Sequence, residues 1–211
     1  MSGELVLMQG SQHDHADIGL YLRYEIWIRR RLSQLDSMFG ATGALYAIRR
    51  NLFVSIPEDA LLDDMYLPMR AFFRGHRLLI EEDARTFDDH VSRDREFQRK
   101  ARTLGGNYQL LWLLPQLLSF KNRMLWHFLS YKVGRLLLPW FLICALVSSC
   151  FLPYPWNIYA LSVQAFFYLL ALIDPLIPER FFLKKISSPA RTFVVLMAAA
   201  LWGLKVFFVS P

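Results

Sequence analysis

Hydrophobic and charged positions separate sharply along this chain. Residues 136–152 (LLLPWFLICALVSSCFL) and 157–173 (NIYALSVQAFFYLLALI) carry no charge, and residues 193–209 carry only Lys205. At about 1.5 Å per residue each run makes a helix of roughly 25 Å, near the thickness of a bilayer core, so the pattern predicts three transmembrane helices. Lys205 lies near the end of the third, where its long side chain can snorkel. Ahead of them, residues 107–120 (NYQLLWLLPQLLSF) are uncharged but too short to span and are interrupted by Pro115, which predicts an interfacial or re-entrant segment. Residues 122–135 place Arg123, His127, Ser130 and Gly134 on one helical face and Leu125, Phe128 and Leu129 on the other. That is the pattern of an amphipathic helix lying on a membrane.

The first 104 residues alternate instead. Leu5–Met8 suits a buried strand, and Asp17–Ser37 suits a helix with apolar positions at 18, 22, 26 and 28. A Gly-rich turn from Met38 leads into an apolar strand ending near Ile48. An acidic stretch, 57–70, is followed by a helix closed by Gly75 and a strand at Leu78–Glu81. Alternating strands and helices predict an α/β front. The organisation expected is thus a front of residues 1–104, interfacial helices over 105–135, and a membrane tail over 136–211.

Charge refines this picture. Residues 1–135 hold 19 Lys and Arg against 16 Asp and Glu, while residues 136–211 hold 5 against 2. The sequence pI near 9.5 therefore reflects Lys and Arg crowded beside apolar spans, as in cytoplasmic juxtamembrane segments, and no nucleic acid partner is expected. Lys121, Arg123, Lys132 and Arg135 precede the first span, and Arg180, Lys184, Lys185 and Arg191 separate the second from the third. The loop 151–156 has no charge. The positive-inside rule then places the front in the cytoplasm and the C-terminus outside. The cysteines, Cys144 and Cys150, both lie in the tail, which excludes a disulfide framework and a Cys-based zinc cluster. Residues 1–8 lack the basic region of a secretory signal, so membrane sorting is expected from the tail.

Two clusters carry candidate chemistry. Asp63 and Asp64 are adjacent at the expected start of a helix. Side chains of neighbouring helical residues point about 100° apart, so one acid can cap the helix while the other faces a pocket; both can equally be capping or solvated acids. Arg99, Lys100, Arg102 and Thr103 precede the interfacial segment, where the cations suit either anionic lipid or a diphosphate. His13, Asp14 and His15 hold metal-ligating atoms, but adjacent residues diverge and make a poor chelate.

In order, Gly40-Ala41-Thr42-Gly43, then Leu62-Asp63-Asp64, then Arg99-x-x-Arg102-Thr103 ahead of interfacial helices and membrane spans resembles the C-terminal half of membrane-bound family 2 glycosyltransferases, the inverting group of cellulose and hyaluronan synthases. The resemblance covers nearly the whole chain. It implies the C-terminal half of a glycosyltransferase A-type α/β domain, a bacterial inner-membrane location and a part in polysaccharide biosynthesis. Asp64 would be the general base. Gly40, Ala41, Thr42, Gly43 and Asp63 would bind the acceptor, and Arg99 and Arg102 would hold the donor diphosphate, with Thr103 where the family motif has Trp. The partners implied are a nucleotide-sugar, a carbohydrate or lipid-linked acceptor and the bilayer. A divalent metal, Mg or Mn, is also implied, held by an Asp-x-Asp that this sequence does not contain. The donor and metal half is therefore expected on another segment or polypeptide. The alternative is a non-catalytic membrane subunit or an inactive fragment of such an enzyme.

Overall fold

The computed structural model of the chain describes residues 1–7, 15–88, 93–178 and 181–209. His13 and Asp14 lie outside the described residues, as does the side chain of His15. The described chain is mostly helical, with a small parallel sheet of two strands, β1 (Ser2–Leu7) and β2 (Ile80–Asp88). Their register runs from Ser2 opposite Ile80 to Leu7 opposite Asp88, with an irregularity between Ser2 and Glu4. Two helices are threaded between the strands, α1 (His15–Leu35) and α2 (Asp63–Phe73). Parallel neighbours need such a crossover. Glu4 of β1 fixes α1 to the sheet by an ion pair with Arg30 at 2.9 Å, and Arg30 also reaches Glu82 of β2 at 3.3 Å.

The α/β expectation thus holds only for a small sheet within a helical molecule. The strand expected after the glycine turn is absent: residues 38–48 form a loop with two isolated bridges, Thr42 to Leu45 and Ser2 to Tyr46. Its local hydrogen bonds, such as the Leu45 amide donating to Thr42 O at 3.0 Å, use backbone groups that a longer ladder would need. The strand expected at 78–81 begins at Ile80. Leu78 is held instead by side-chain and loop bonds, its amide donating to Ser37 Oγ at 2.9 Å and its carbonyl accepting from the Met38 amide at 3.0 Å. Gly75 does close α2, in the left-handed region at φ +86°, where glycine carries no Cβ penalty.

Next comes α3 (Arg93–Leu113), running unbroken through position 104, where the front was expected to give way to interfacial helices. Gly105 and Gly106 do not interrupt it, because both are sites of close packing. A Cβ on Gly105 would lie 2.8 Å from Gly203 O, and one on Gly106 would lie 2.4 Å from Leu62 Cγ. Helix α3 ends before Pro115, as a Pro amide requires, and a short 3₁₀ turn (Pro115–Leu118) follows. Of the segment expected to lie at the interface, 107–113 is therefore the end of this longer helix.

A continuous helical stretch then runs from Leu125 to Cys150: α4 (Leu125–Phe128), a π turn (Leu129–Val133) and α5 (Gly134–Cys150). Helix α6 (Trp156–Ile173) returns, and α7 (Lys184–Val209) completes the chain. Three helical stretches, Leu125–Cys150, Trp156–Leu176 and Lys184–Phe208, are long and apolar enough to cross a membrane. The first and third exceed the uncharged runs read from the sequence. Apolar side chains such as Phe141 and Val163 face outward, as lipid-facing residues do.

Two clusters of charge set these helices against the front and each other. Arg123, expected on the polar face of an interfacial helix, precedes α4 and ties three segments together. It ion-pairs with Asp36, donates to His76 O at 2.7 Å and lies over the Phe72 ring, 4.0 Å from its centre. Asp174, at the end of α6, is buried and accepts from Ser187 Oγ at 2.6 Å, from Lys184 Nζ at 3.1 Å and from Arg191 at 3.4 Å. The second half of α7 packs along α3, with Ala101, Leu104, Ala199 and Ala200 buried together. Small residues at both surfaces let the backbones approach closely.

Candidate functional site

Residues from six elements converge on one cleft beside the sheet, a cavity of about 520 Å³ lined by Glu4, Glu25, Arg29, the loop 41–44, residues 61–64, Arg99, Arg102 and Thr103. A smaller cavity of about 160 Å³ adjoins it, sharing Glu25, Arg29, Ala41, Leu62, Asp64 and Thr103 and adding Gly40, Tyr131 and Lys132. Every site residue inferred from the sequence, Gly40 to Gly43, Asp63, Asp64, Arg99 and Arg102, borders one or both cavities. Residues up to about 100 positions apart in sequence thus meet on one surface.

The loop 40–43 is held rigidly from both sides. Arg29 of α1 donates to Thr42 Oγ1 and to Gly40 O, each at 3.0 Å. The Thr42 hydroxyl donates to Gly3 O at 2.7 Å, while its amide donates to Ser2 Oγ at 2.8 Å. Thr42 is therefore committed to anchoring the loop. The Ala41 amide donates to Asp64 O at 2.8 Å, which docks the loop on the start of α2. Both glycines serve close approach, at ordinary φ. Gly40 admits Met65, whose Cγ would lie 2.5 Å from an added Cβ, so its missing side chain serves packing against α2. Gly43 admits the Asp64 carboxylate, whose Oδ2 would lie 3.2 Å from one.

Neither acid caps α2. Leu62 occupies the cap position with no side-chain cap bond, and Asp63 and Asp64 fill the first helical turn, where carboxylates are favoured by the helix dipole. They part as adjacent helical residues must: Asp63 is exposed and Asp64 half-buried. The Oδ1 atom of Asp64 is buried and has no hydrogen-bond partner among the described residues. Burial, then repulsion from Asp63, raises the Asp64 carboxyl above the usual carboxylate range, against the pull of Lys132 and Arg29. A desolvated carboxylate at the edge of a cleft, with one oxygen unpartnered, is the form a proton acceptor takes.

Opposite it, α3 presents Arg99 and Arg102 one turn apart, both exposed at the cleft. Thr103 donates to Arg99 O at 2.9 Å.

Sequence reasoning missed a second charged cluster at this site. The Tyr131 hydroxyl donates to Glu25, and Arg135 pairs with the other oxygen of Glu25 at 3.2 Å. Burial works against the Glu25 carboxylate, yet Arg135 and Lys132 hold it below the usual range. The π turn explains the omission. A regular helix over 122–135 puts Arg123, His127, Ser130 and Gly134 on one face, whereas the wider turn at 129–133 shifts the phase, and Tyr131 and Lys132 line the smaller cavity beside Asp64. Such turns inside α-helices are frequent at functional sites.

Among the described residues, no three His, Cys, Asp or Glu side chains converge as a metal ion requires. Asp63 and Asp64 diverge, so the described residues of the cleft do not fit a divalent metal. No family model, curated protein or solved structure matches the chain.

Proposed function

We propose that this chain carries the acceptor side of an inverting glycosyl transfer from a nucleotide-sugar to a hydroxyl at the membrane surface, with the donor-holding part supplied by another segment or polypeptide. The observation that carries the reading is the Asp64 carboxylate. It is desolvated, lacks a partner at one oxygen, lies against Gly43, and shares its cleft with the exposed guanidinium groups of Arg99 and Arg102. An acceptor hydroxyl has a pKa far above 7, so attack on the anomeric carbon requires a positioned base to take its proton. In this reading Asp64 accepts that proton, the acceptor oxygen bonds to the anomeric carbon, and the nucleoside diphosphate leaves with the bonding pair. One displacement inverts the configuration. Arg99 and Arg102 stabilise the charge that grows on the departing diphosphate, as paired guanidinium groups suit phosphate oxygens.

The test is Asp64→Asn in the complete enzyme assembled with its donor-holding part. Transfer is expected to fall about 10²-fold or more, while nucleotide-sugar binding by calorimetry stays within a few fold, since a base acts in the transition state. Retention of more than about a tenth of the wild-type rate would remove Asp64 as the base.

A further inference from the structure

A second cavity, about 720 Å³, lies between α5 and α7 and has a graded lining. Ser130, Tyr131 and Arg135 stand at one end, and Leu138, Phe193 and Leu196 are among the apolar residues along its length. Its volume is that of an ordinary ligand site. Phe141, also in its wall, is largely exposed, which leaves the groove open on a lipid-facing flank. The polar end adjoins the site already described. Tyr131 belongs to the wall of this groove and to the wall of the small cavity beside Asp64. Glu25, which accepts from Tyr131, lines the cleft, while its ion-pair partner Arg135 lines the groove. Cleft and groove therefore lie on either side of the Tyr131–Glu25–Arg135 cluster.

We propose that the groove between α5 and α7 binds the hydrocarbon chain of a lipid acceptor, oriented so that its hydroxyl-bearing head meets Tyr131, the residue the groove shares with the small cavity beside Asp64. The proposal rests on the glycosyl-transfer reading for the role of the head, and on the groove alone for the binding of the chain. Three features select this occupant. The groove lies within two of the stretches apolar enough to cross a membrane, so its open flank meets lipid. Its lining runs from Ser130 and Arg135 to Leu138 and Phe141 along one stretch and from Thr192 to Leu196 and Met197 along α7, which matches a single amphiphile. The polar end adjoins the cleft that holds the base and not the far end of the spans. Ordinary bilayer lipid has no reason to prefer this groove over the equally apolar outer face of α6, where Val163 and Leu172 are exposed.

The test uses the full chain in phosphatidylcholine nanodiscs with a long-chain alcohol carrying a mid-chain diazirine as the probe. After irradiation, peptides containing residues 134–141 and 189–197 are expected to be labelled about tenfold more than those around Val163 and Leu172, a preference of about 1.4 kcal/mol. Excess unlabelled alcohol should suppress that labelling, and added phosphatidylcholine should not. Leu196→Trp and, from the other wall, Leu138→Trp fill the groove and should each reduce it severalfold, while Leu172→Trp leaves it unchanged. Labelling spread over all outward faces, or insensitive to the competing alcohol, would overturn the proposal. The two readings fail separately. Asp64→Asn should label as wild type does; groove labelling without any transfer by the complete enzyme leaves a lipid site and removes the transferase reading. Asp64-dependent transfer with indiscriminate labelling does the reverse.

Discussion

Asp64 is costly to keep ionised where it stands, because a carboxylate that native burial drives toward protonation weakens the fold once it is charged. Asp64→Asn is therefore expected to leave the melting temperature unchanged or higher while abolishing transfer, a combination that thermal melts and activity together detect. The transfer rate should fall on acidification as Asp64 takes up a proton, at a pH above the ordinary aspartate value of 3.8. Asp63→Asn removes a repulsion and should move that limb to lower pH, and Lys132→Met removes an attraction and should move it higher, both read from pH–rate profiles. Glu25 behaves oppositely. Its pKa is lowered in the fold, so its stabilising contribution is complete above the ordinary glutamate value of 4.5 and is lost as pH falls through the native value. Glu25→Gln, which breaks the Arg135 pair and weakens the Tyr131 bond, should cost about 1.5–3 kcal/mol at neutral pH, the range for hydrogen bonds to charged groups, and chemical denaturation measures it. The helix start at Asp63 and Asp64 was legible in the sequence, because paired acids suit the first turn of a helix. Glu25 was not, since its partners are more than 100 positions away in sequence, and nothing local marks it.

Helices were easier to read than strands, for a physical reason. The apolar runs within α5, α6 and α7 carry no charge but Lys205, a signal that no local packing can reverse. The expected strand at 44–48 depended on a partner, and the loop bonds of Thr42, Gly3 and Ser2 occupied the available groups first. The π turn and the Gly105–Gly106 step were illegible for a related reason, since each exists only in the presence of a neighbour. The glycine step leads to a prediction at this scale. A side chain at residue 203 would stand 2.7 Å from the Gly105 amide nitrogen and 2.9 Å from Ala101 O. Gly203→Val must therefore push α7 away from α3, and on the glycosyl-transfer reading nucleotide-diphosphate binding through Arg99 and Arg102 should weaken severalfold in calorimetry of the complete enzyme. Gly134→Ala, whose added Cβ meets only Leu129 O at 3.3 Å, should leave that binding unchanged.

At the scale of the molecule, α3 joins the cleft to the membrane helices. Its N-terminal part carries Arg99 and Arg102, and its C-terminal part carries Trp112, 79% exposed. Phe120 and Trp126 are exposed beyond it, at 92% and 76%. Aromatic side chains left outward near the ends of apolar helices belong at a bilayer interface. Cysteine at position 112 in a chain lacking Cys144 and Cys150 should therefore resist a membrane-impermeant maleimide, whereas cysteine at position 102 should react; equal labelling of the two would put the end of α3 in water. The division into front and tail was readable from charge alone, but this overlap of the two was not, because it depends on which surface α7 chooses. Helix α7 is fastened at two places, to Asp174 at its start and to Gly105 through Gly203 farther along. A rod pinned at two points transmits tilt. A helix answers a change in bilayer thickness by tilting, and a tilt of α7 has to be passed to the turn of α3 that bears the two arginines, so the thickness of the surrounding lipid becomes a mechanical input to the spacing of the cleft.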